Sequence, residues 1–176
     1  MSQQLTKIQP LSQPVHMPDE PAVFSPEVEA EIDGHLAKYP VPRSAILPLM
    51  FIVQRERGYL DPAGVLYLAN RLALRVTDIW EVATFYSMIQ TKPVGKYHIQ
   101  ICKTLSCKIL GEPKITEHVC NKLGIKPGET TVDGRFTVSL VECLGSCGTA
   151  PMFQINFDYH ENLTAEKVDE ILASLP

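Results

Sequence analysis

The sequence predicts an α/β chain in two parts, a bundle of helices over residues 25–91 followed by an α/β sandwich over residues 92–176. Three observations predict it. Between Ser25 and Met88 apolar residues recur at helical spacing in four stretches joined by short connections. At Thr91-Lys92-Pro93-Val94-Gly95 a Pro/Gly linker ends that pattern. Beyond it the period changes to two in the run YHIQIC, residues 97–102, and strand and helix patterns follow one another to the end.

Taken in order, residues 1–24 hold four prolines and four glutamines without apolar periodicity, which predicts a mobile or partner-wrapped tail. Ser25-Pro26-Glu27 then supplies an N-cap, a proline for the first helical position and an early negative charge, ahead of Val28, Ile32, Leu36 and Tyr39 on one face. A second helix is expected over residues 44–57 with Gly58 as its stop, Pro48 removing one early hydrogen bond. Asp61-Pro62 opens a third through Val65, Leu68, Ala69 and Leu72, and Thr77 is expected to cap a fourth that carries Ile79, Trp80, Ala83, Phe85 and Met88. At that spacing Trp80, Phe85 and Tyr86 read as core side chains. After the linker come a strand over 97–102, a helix over 114–123 closed by Gly124, strands over 136–141 and 152–157, a short fourth strand around Tyr159, and a helix over 163–175 capped by Thr164. A crossover helix between the first two strands makes them parallel, and the whole order fits a thioredoxin-like sandwich. Pro151, just before a strand, stands where such folds place a cis proline.

Composition narrows the possible functions. Basic and acidic side chains number 8 and 10 in the first 94 residues and 8 and 10 in the remaining 82, so neither half is a basic arm for nucleic acid. The longest apolar run, residues 45–53, is broken by Pro48 and falls well short of the roughly 20 residues that span a bilayer. With no signal or transit pattern at its start, the chain is expected in the cytoplasm without direct membrane insertion. It carries neither a G-x-G-x-x-G after a strand nor a P-loop, so nothing in it is expected to cradle a dinucleotide or a flavin phosphate.

Five cysteines remain, an odd number in a reducing compartment, which argues for metal or reactive-thiol chemistry over disulfides. Cys102 and Cys107 follow the first strand and Cys143 and Cys147 the second, both pairs in expected loops. If those strands are parallel neighbours, the two loops lie about 5 to 10 Å apart and four thiols converge. Zinc is usually gripped by closer pairs, and C-x4-C with C-x3-C stands at the wide end of its range. A [2Fe-2S] rhomb takes a broader footprint and uses the close backbone approach that Gly145 and Gly148 allow. No histidine lies near either pair to make a Rieske site, and no C-x-x-C opens a helix as a catalytic dithiol would. Spacing alone thus favours the cluster while leaving zinc and unligated thiols open. Cys120, beside Val119 and Leu123 on a helix, reads as a small buried hydrophobe. His35, His98, His118 and His160 form no i,i+4 pair and are assigned no chemistry.

Four segments taken together carry a more specific signal: EVATFYSM (81–88), KPVGKYHIQIC (92–102), LGIKPGETT (123–131) and ECLGSCGTAPM (142–152). In this order, over roughly residues 25–175, the chain closely resembles the 24-kilodalton-type subunit of respiratory NADH:quinone oxidoreductase, complex I. The resemblance implies a helical N-terminal domain, a thioredoxin-like ferredoxin domain and one [2Fe-2S] cluster. The family's four-cysteine pattern matches Cys102, Cys107, Cys143 and Cys147, and Cys120 lies outside it. It further implies that NADH and FMN sit on a larger partner subunit, whose flavin exchanges single electrons with this cluster. Other peripheral-arm subunits would be neighbours, the complex lying on the cytoplasmic side of the inner membrane, and enzyme activity would belong to the complex, with no substrate site on this chain alone. The equivalent diaphorase subunit of an NAD-reducing hydrogenase or formate dehydrogenase resembles it too, and a zinc-binding structural module is the reading from a different class.

Overall fold

The structure, a computed structural model, describes residues 16–176. The chain divides into two compact units between Thr91 and Lys92. Most of the tail expected over residues 1–24 lies outside the described residues. Residues 17–24, however, lie along the helices: Met17 and Phe24 pack on the core, Ala22 is buried, and its amide donates to Ala63 O at 3.0 Å. Phe24 meets Tyr67 edge-on with ring centroids 4.7 Å apart. The three apolar side chains that pack here, Met17, Ala22 and Phe24, have no regular period, so no pattern marks them as part of the fold.

The first unit contains α1 (Pro26–Leu36), α2 (Ile46–Arg57), α3 (Pro62–Leu72) and α4 (Val76–Phe85). Ser25 Oγ accepts from Val28 N at 3.4 Å and Asp61 Oδ1 from Gly64 N at 2.8 Å, so two of the expected caps form as the local sequence dictates. Tyr39 falls beyond the end of α1 and is exposed. A 3-10 turn, Pro42–Ala45, leads into α2, which puts Pro48 at its third residue, where the backbone nitrogen has no intrahelical acceptor to lose. The cap of α4 is Arg75 rather than Thr77: Asp78 accepts from Arg75 N at 3.1 Å and from its guanidinium at 2.8 Å, and the carboxylate outcompetes a hydroxyl for the helix start. Ile79 and Ala83 are the buried stripe of α4, with Trp80 packed at its edge. Phe85 and Tyr86 are exposed instead of buried: Phe85 is six positions from Ile79, about 120° off the stripe, and Tyr86 lies past the end of α4 in extended backbone. Val53 Cγ1 lies 2.6 Å from where a Cβ would stand on Gly64, so glycine is what lets α2 and α3 meet there.

The second unit is a four-stranded sheet of β1 (Tyr97–Cys102), β2 (Phe136–Val141), β3 (Phe153–Ile155) and β4 (Asp158–His160) in the order β2-β1-β3-β4. β1 and β2 are parallel, in register from Tyr97 opposite Phe136 to Cys102 opposite Val141, and β3 and β4 are antiparallel to their neighbours. Between β1 and β2 run α5 (Leu105–Ile109) and α6 (Glu112–Leu123), and α7 (Ala165–Ser174) closes the unit. Thr164 caps α7, accepting from Lys167 N at 3.2 Å. Ile99, Ile101, Val138 and Phe153 of the sheet pack with Val119 of α6 and Val168 of α7. β3 stops short of the expected residue 157 because Asn156 turns the chain at a φ of 55° and gives its side chain to β1, Oδ1 accepting from His98 N at 3.0 Å. The Ala150–Pro151 bond is cis, as its position predicts. Among the described residues no helix is long and apolar enough to cross a membrane.

β1 is buried along its whole length, which takes His98 and Gln100 inside with the apolar residues. Burial pushes the His98 imidazole down to about 4 from its ordinary 6.5. With the folded value below the unfolded one, this stability is complete above the unfolded pKa and is lost as the pH falls from about 6.5 to 4, by roughly 3 kcal/mol in all. Urea denaturation of wild type and His98→Gln at pH 7 and pH 4 reads this directly, since acid effects common to both cancel. The wild-type advantage should shrink by about that amount; an unchanged difference would mean the ring is solvated when folded.

Candidate metal centre

The parallel register of β1 and β2 brings both cysteine pairs to one end of the sheet. β1 ends at Cys102 opposite Val141, Lys103 N donates to Val141 O at 3.0 Å, and the segment 142–150 leaves β2 at the same edge. The first pair does not lie in a loop as expected: Cys107 is the third residue of α5, a one-turn helix too short to show a period in sequence. Cys102 and Cys107 are both buried and pack against Met152, with Leu144 and Ala150 of the second segment beside them. Cys143 and Cys147 are exposed, with their sulfurs 4.0 Å apart, close to the span of two thiolates on one tetrahedral metal.

Each inner sulfur has its own electrostatic setting. Burial pushes the Cys102 thiol up, but hydrogen bonds from the Thr104 hydroxyl at 3.3 Å, from the amides of Leu144 and Thr104 and from Cys107 outweigh it, and its pKa ends below the ordinary thiol value. Cys107 is pushed up to about 11, first by burial and then by giving its proton to Cys102, whose charge and that of Cys147 oppose a second thiolate. On the outer pair, Gly145 N donates to Cys143 Sγ at 3.3 Å, at a φ of 81° that favours glycine.

These residues test well against a [2Fe-2S] centre. Four thiols stand as two pairs, one dry and one exposed, with peptide N–H groups aimed at sulfur in both. Among the described residues no three or more His, Cys, Asp or Glu side chains close on one point as a single ion requires. Cys120 packs with Leu123 and Ile125 on the main core of the unit, away from the Cys102, Cys107 and Met152 cluster. It is half-buried rather than fully buried, and burial raises its pKa. The sequence reading missed Thr104. It holds the N-cap position of α5, yet its hydroxyl makes no cap bond and turns to Cys102. A threonine two residues after a cysteine at a strand end was the available signal.

A sheet of thioredoxin topology with paired cysteines gathered at the ends of its two parallel strands defines the class of thioredoxin-like iron–sulfur proteins. The chain belongs to the thioredoxin-like [2Fe-2S] ferredoxin family, whose model matches residues 32–176. It is 43% identical to an NADH-quinone oxidoreductase subunit of Rhizobium meliloti over 82% of this chain and 86% of that one. To an NADH-quinone oxidoreductase subunit of Rickettsia felis it is 49% identical over 78% and 84% of the two chains, and to NADH-quinone oxidoreductase subunit 2 of Thermus thermophilus 45% over 82% and 81%. Among solved structures, an air-oxidized NAD+-reducing [NiFe]-hydrogenase superposes with a TM-score of 0.63 at 26% identity over 73% of this chain. This chain spans only 23% of that hydrogenase chain.

Proposed function

We propose that the chain is the [2Fe-2S] electron-transfer subunit of an NADH:quinone oxidoreductase, with Cys102, Cys107, Cys143 and Cys147 as the cluster ligands. The observation that carries the site is the convergence of two thiol pairs at the C-terminal ends of β1 and β2. When bound, the cluster supplies one-electron chemistry at a potential set by its surroundings. Everything else comes from the chain. Cys102 and Cys107 provide a dry, hydrogen-bonded side that limits solvent, and Gly145 N and the Leu144 amide direct donors at sulfur and so stabilise added negative charge. Cys143 and Cys147 leave an exposed side, the natural route for an electron to enter or leave.

The donor is the flavin of a larger partner that binds NADH and FMN, in keeping with the lack of any dinucleotide or flavin motif in this sequence. Docking is proposed to involve the helical unit, residues 25–91, as well as the rim of the cysteine loops, residues 92–176 forming the electron-carrying domain. Through the complex, the chain would lie on the cytoplasmic side of the membrane. The hydrogenase reading is weaker because that match has lower identity and covers under a quarter of the neighbour's length.

Metal analysis of anaerobically purified protein tests the site. Four thiolates fill both irons of one rhomb, so two irons and two labile sulfides per chain are expected, with a red-brown colour. One zinc per colourless chain would sink the proposal.

A further inference from the structure

Cys143 and Cys147 stand on a segment with little structure of its own. Both are exposed, and the only regular element among residues 142–152 is the 3-10 turn Cys147–Thr149. Their support comes from elsewhere in the chain. The Glu161 carboxylate, just after β4, accepts through Oε1 from Thr149 Oγ1 at 2.7 Å and from the Ser146 hydroxyl. Those two hydroxyls are themselves 2.7 Å apart, and Thr149 N donates to Ser146 O at 3.2 Å. Neighbouring residues add to the hold: Asn162 N donates to Thr149 O at 2.7 Å, Leu163 N to Pro151 O at 3.0 Å, and the Tyr159 hydroxyl to Leu144 O at 2.6 Å. Lys167 Nζ donates to Glu161 O at 2.6 Å, which ties the clasp to α7.

The chemistry singles out Glu161 within this set. Ser146 and Thr149 bracket Cys147 and each has one hydroxyl proton. Left to themselves, the Ser146 hydroxyl can donate to Thr149 Oγ1 and the Thr149 hydroxyl to Ser146 O at 3.2 Å, both of them neutral bonds within the turn. A carboxylate oxygen takes both protons at once, in charge-assisted bonds that are shorter and stronger than neutral ones. The turn that carries Cys147 is therefore tied to a side chain 12 to 15 residues away by its strongest bonds. We infer that Glu161 is the positioning residue of the outer cysteine loop, closing the 146–149 turn so that Cys147 presents its thiolate at the geometry the cluster requires. This rests on the reading of Cys143 and Cys147 as ligands.

The test uses the full, cluster-loaded chain as wild type, Glu161→Ala and Glu161→Gln. Three quantities are measured: the rate of cluster release to an iron chelator, followed by loss of visible absorbance, the EPR spectrum after dithionite reduction, and thermal melting of the metal-free chain. Glu161→Ala should release its cluster about 10- to 100-fold faster, the usual effect of losing a group that orients a metal ligand. Its EPR lines should broaden while melting stays at the wild-type value. Glu161→Gln keeps an acceptor oxygen for both hydroxyls but loses the charge, and should release its cluster more slowly than Glu161→Ala. Thr149→Val, which removes one of the two bonds, should accelerate release as well and serves if the alanine variant does not fold. Release from Glu161→Ala at the wild-type rate overturns the positioning role and leaves the cluster reading intact, as does fast release matched by a lowered melting temperature. A glutamine variant as leaky as alanine overturns it too. Wild-type protein without iron and sulfide would remove the cluster reading, and this inference with it.

Discussion

Cys143→Ala, Cys147→Ala, Cys102→Ala and Cys107→Ala each yield a chain with little or no cluster, whereas Cys120→Ala keeps full occupancy. Removing one of four anionic ligands leaves an iron short of its tetrahedral set, and binding free energy of this kind is lost nearly whole. Cys120 offers only packing against the core of the second unit, so its loss costs stability on the order of 1 kcal/mol and nothing in colour. The structure adds a distinction within the four. Cys143 and Cys147 are exposed, so their alanine variants should melt like wild type once both are metal-free. Cys102 and Cys107 are buried against Met152, so theirs should melt lower. Iron and sulfide content, with melting curves of the metal-free chains, reads both effects. Normal occupancy in Cys143→Ala, or complete loss in a folded Cys120→Ala, would reverse the assignment.

The isolated chain is expected to accept an electron from dithionite and yet to oxidise no NADH at all. A hydride carries two electrons, and a one-electron carrier takes them only after a flavin has split the pair. No dinucleotide-binding motif is present to bring NADH close. Purified chain mixed with NADH and a ferricyanide-type acceptor should therefore show no turnover, and adding the flavin subunit should start it. Turnover by the chain alone, with bound FMN excluded by its fluorescence, would mean that a nucleotide site exists here and that the electron-carrier reading is incomplete.

What could be read from the sequence follows how local each determinant is. Ser25, Asp61 and Thr164 cap their helices within three residues of the groups they bind, and those caps form where the sequence places them. β2 spans the expected 136–141, and the crossover through α6 led correctly to a parallel β1–β2 pair. Local reasoning failed where a distant or charged group competed. The start of α4 went to Arg75 and Asp78, the end of β3 to the bond between Asn156 and His98, and α5 was too short for periodicity to reveal. Phe85 and Tyr86 matched an apolar pattern, but Phe85 lies off the buried stripe of α4 and Tyr86 falls past its end, in extended backbone at the C-cap.

For the site the division is sharper. By itself the sequence determined the four candidate thiols, their grouping as two pairs after two strands, and the absence of a nucleotide-binding motif, because all of these are matters of residue type and spacing. Only the tertiary structure decided that Cys102 and Cys107 form the dry pair and Cys143 and Cys147 the exposed one, that Cys102 rather than Cys107 is the easier to ionise, and that Glu161 closes the turn beside Cys147. Burial and hydrogen-bond partners depend on which segments the sheet brings together, and β1, the segment after β2 and the β4–α7 connection are far apart along the chain until the sheet forms.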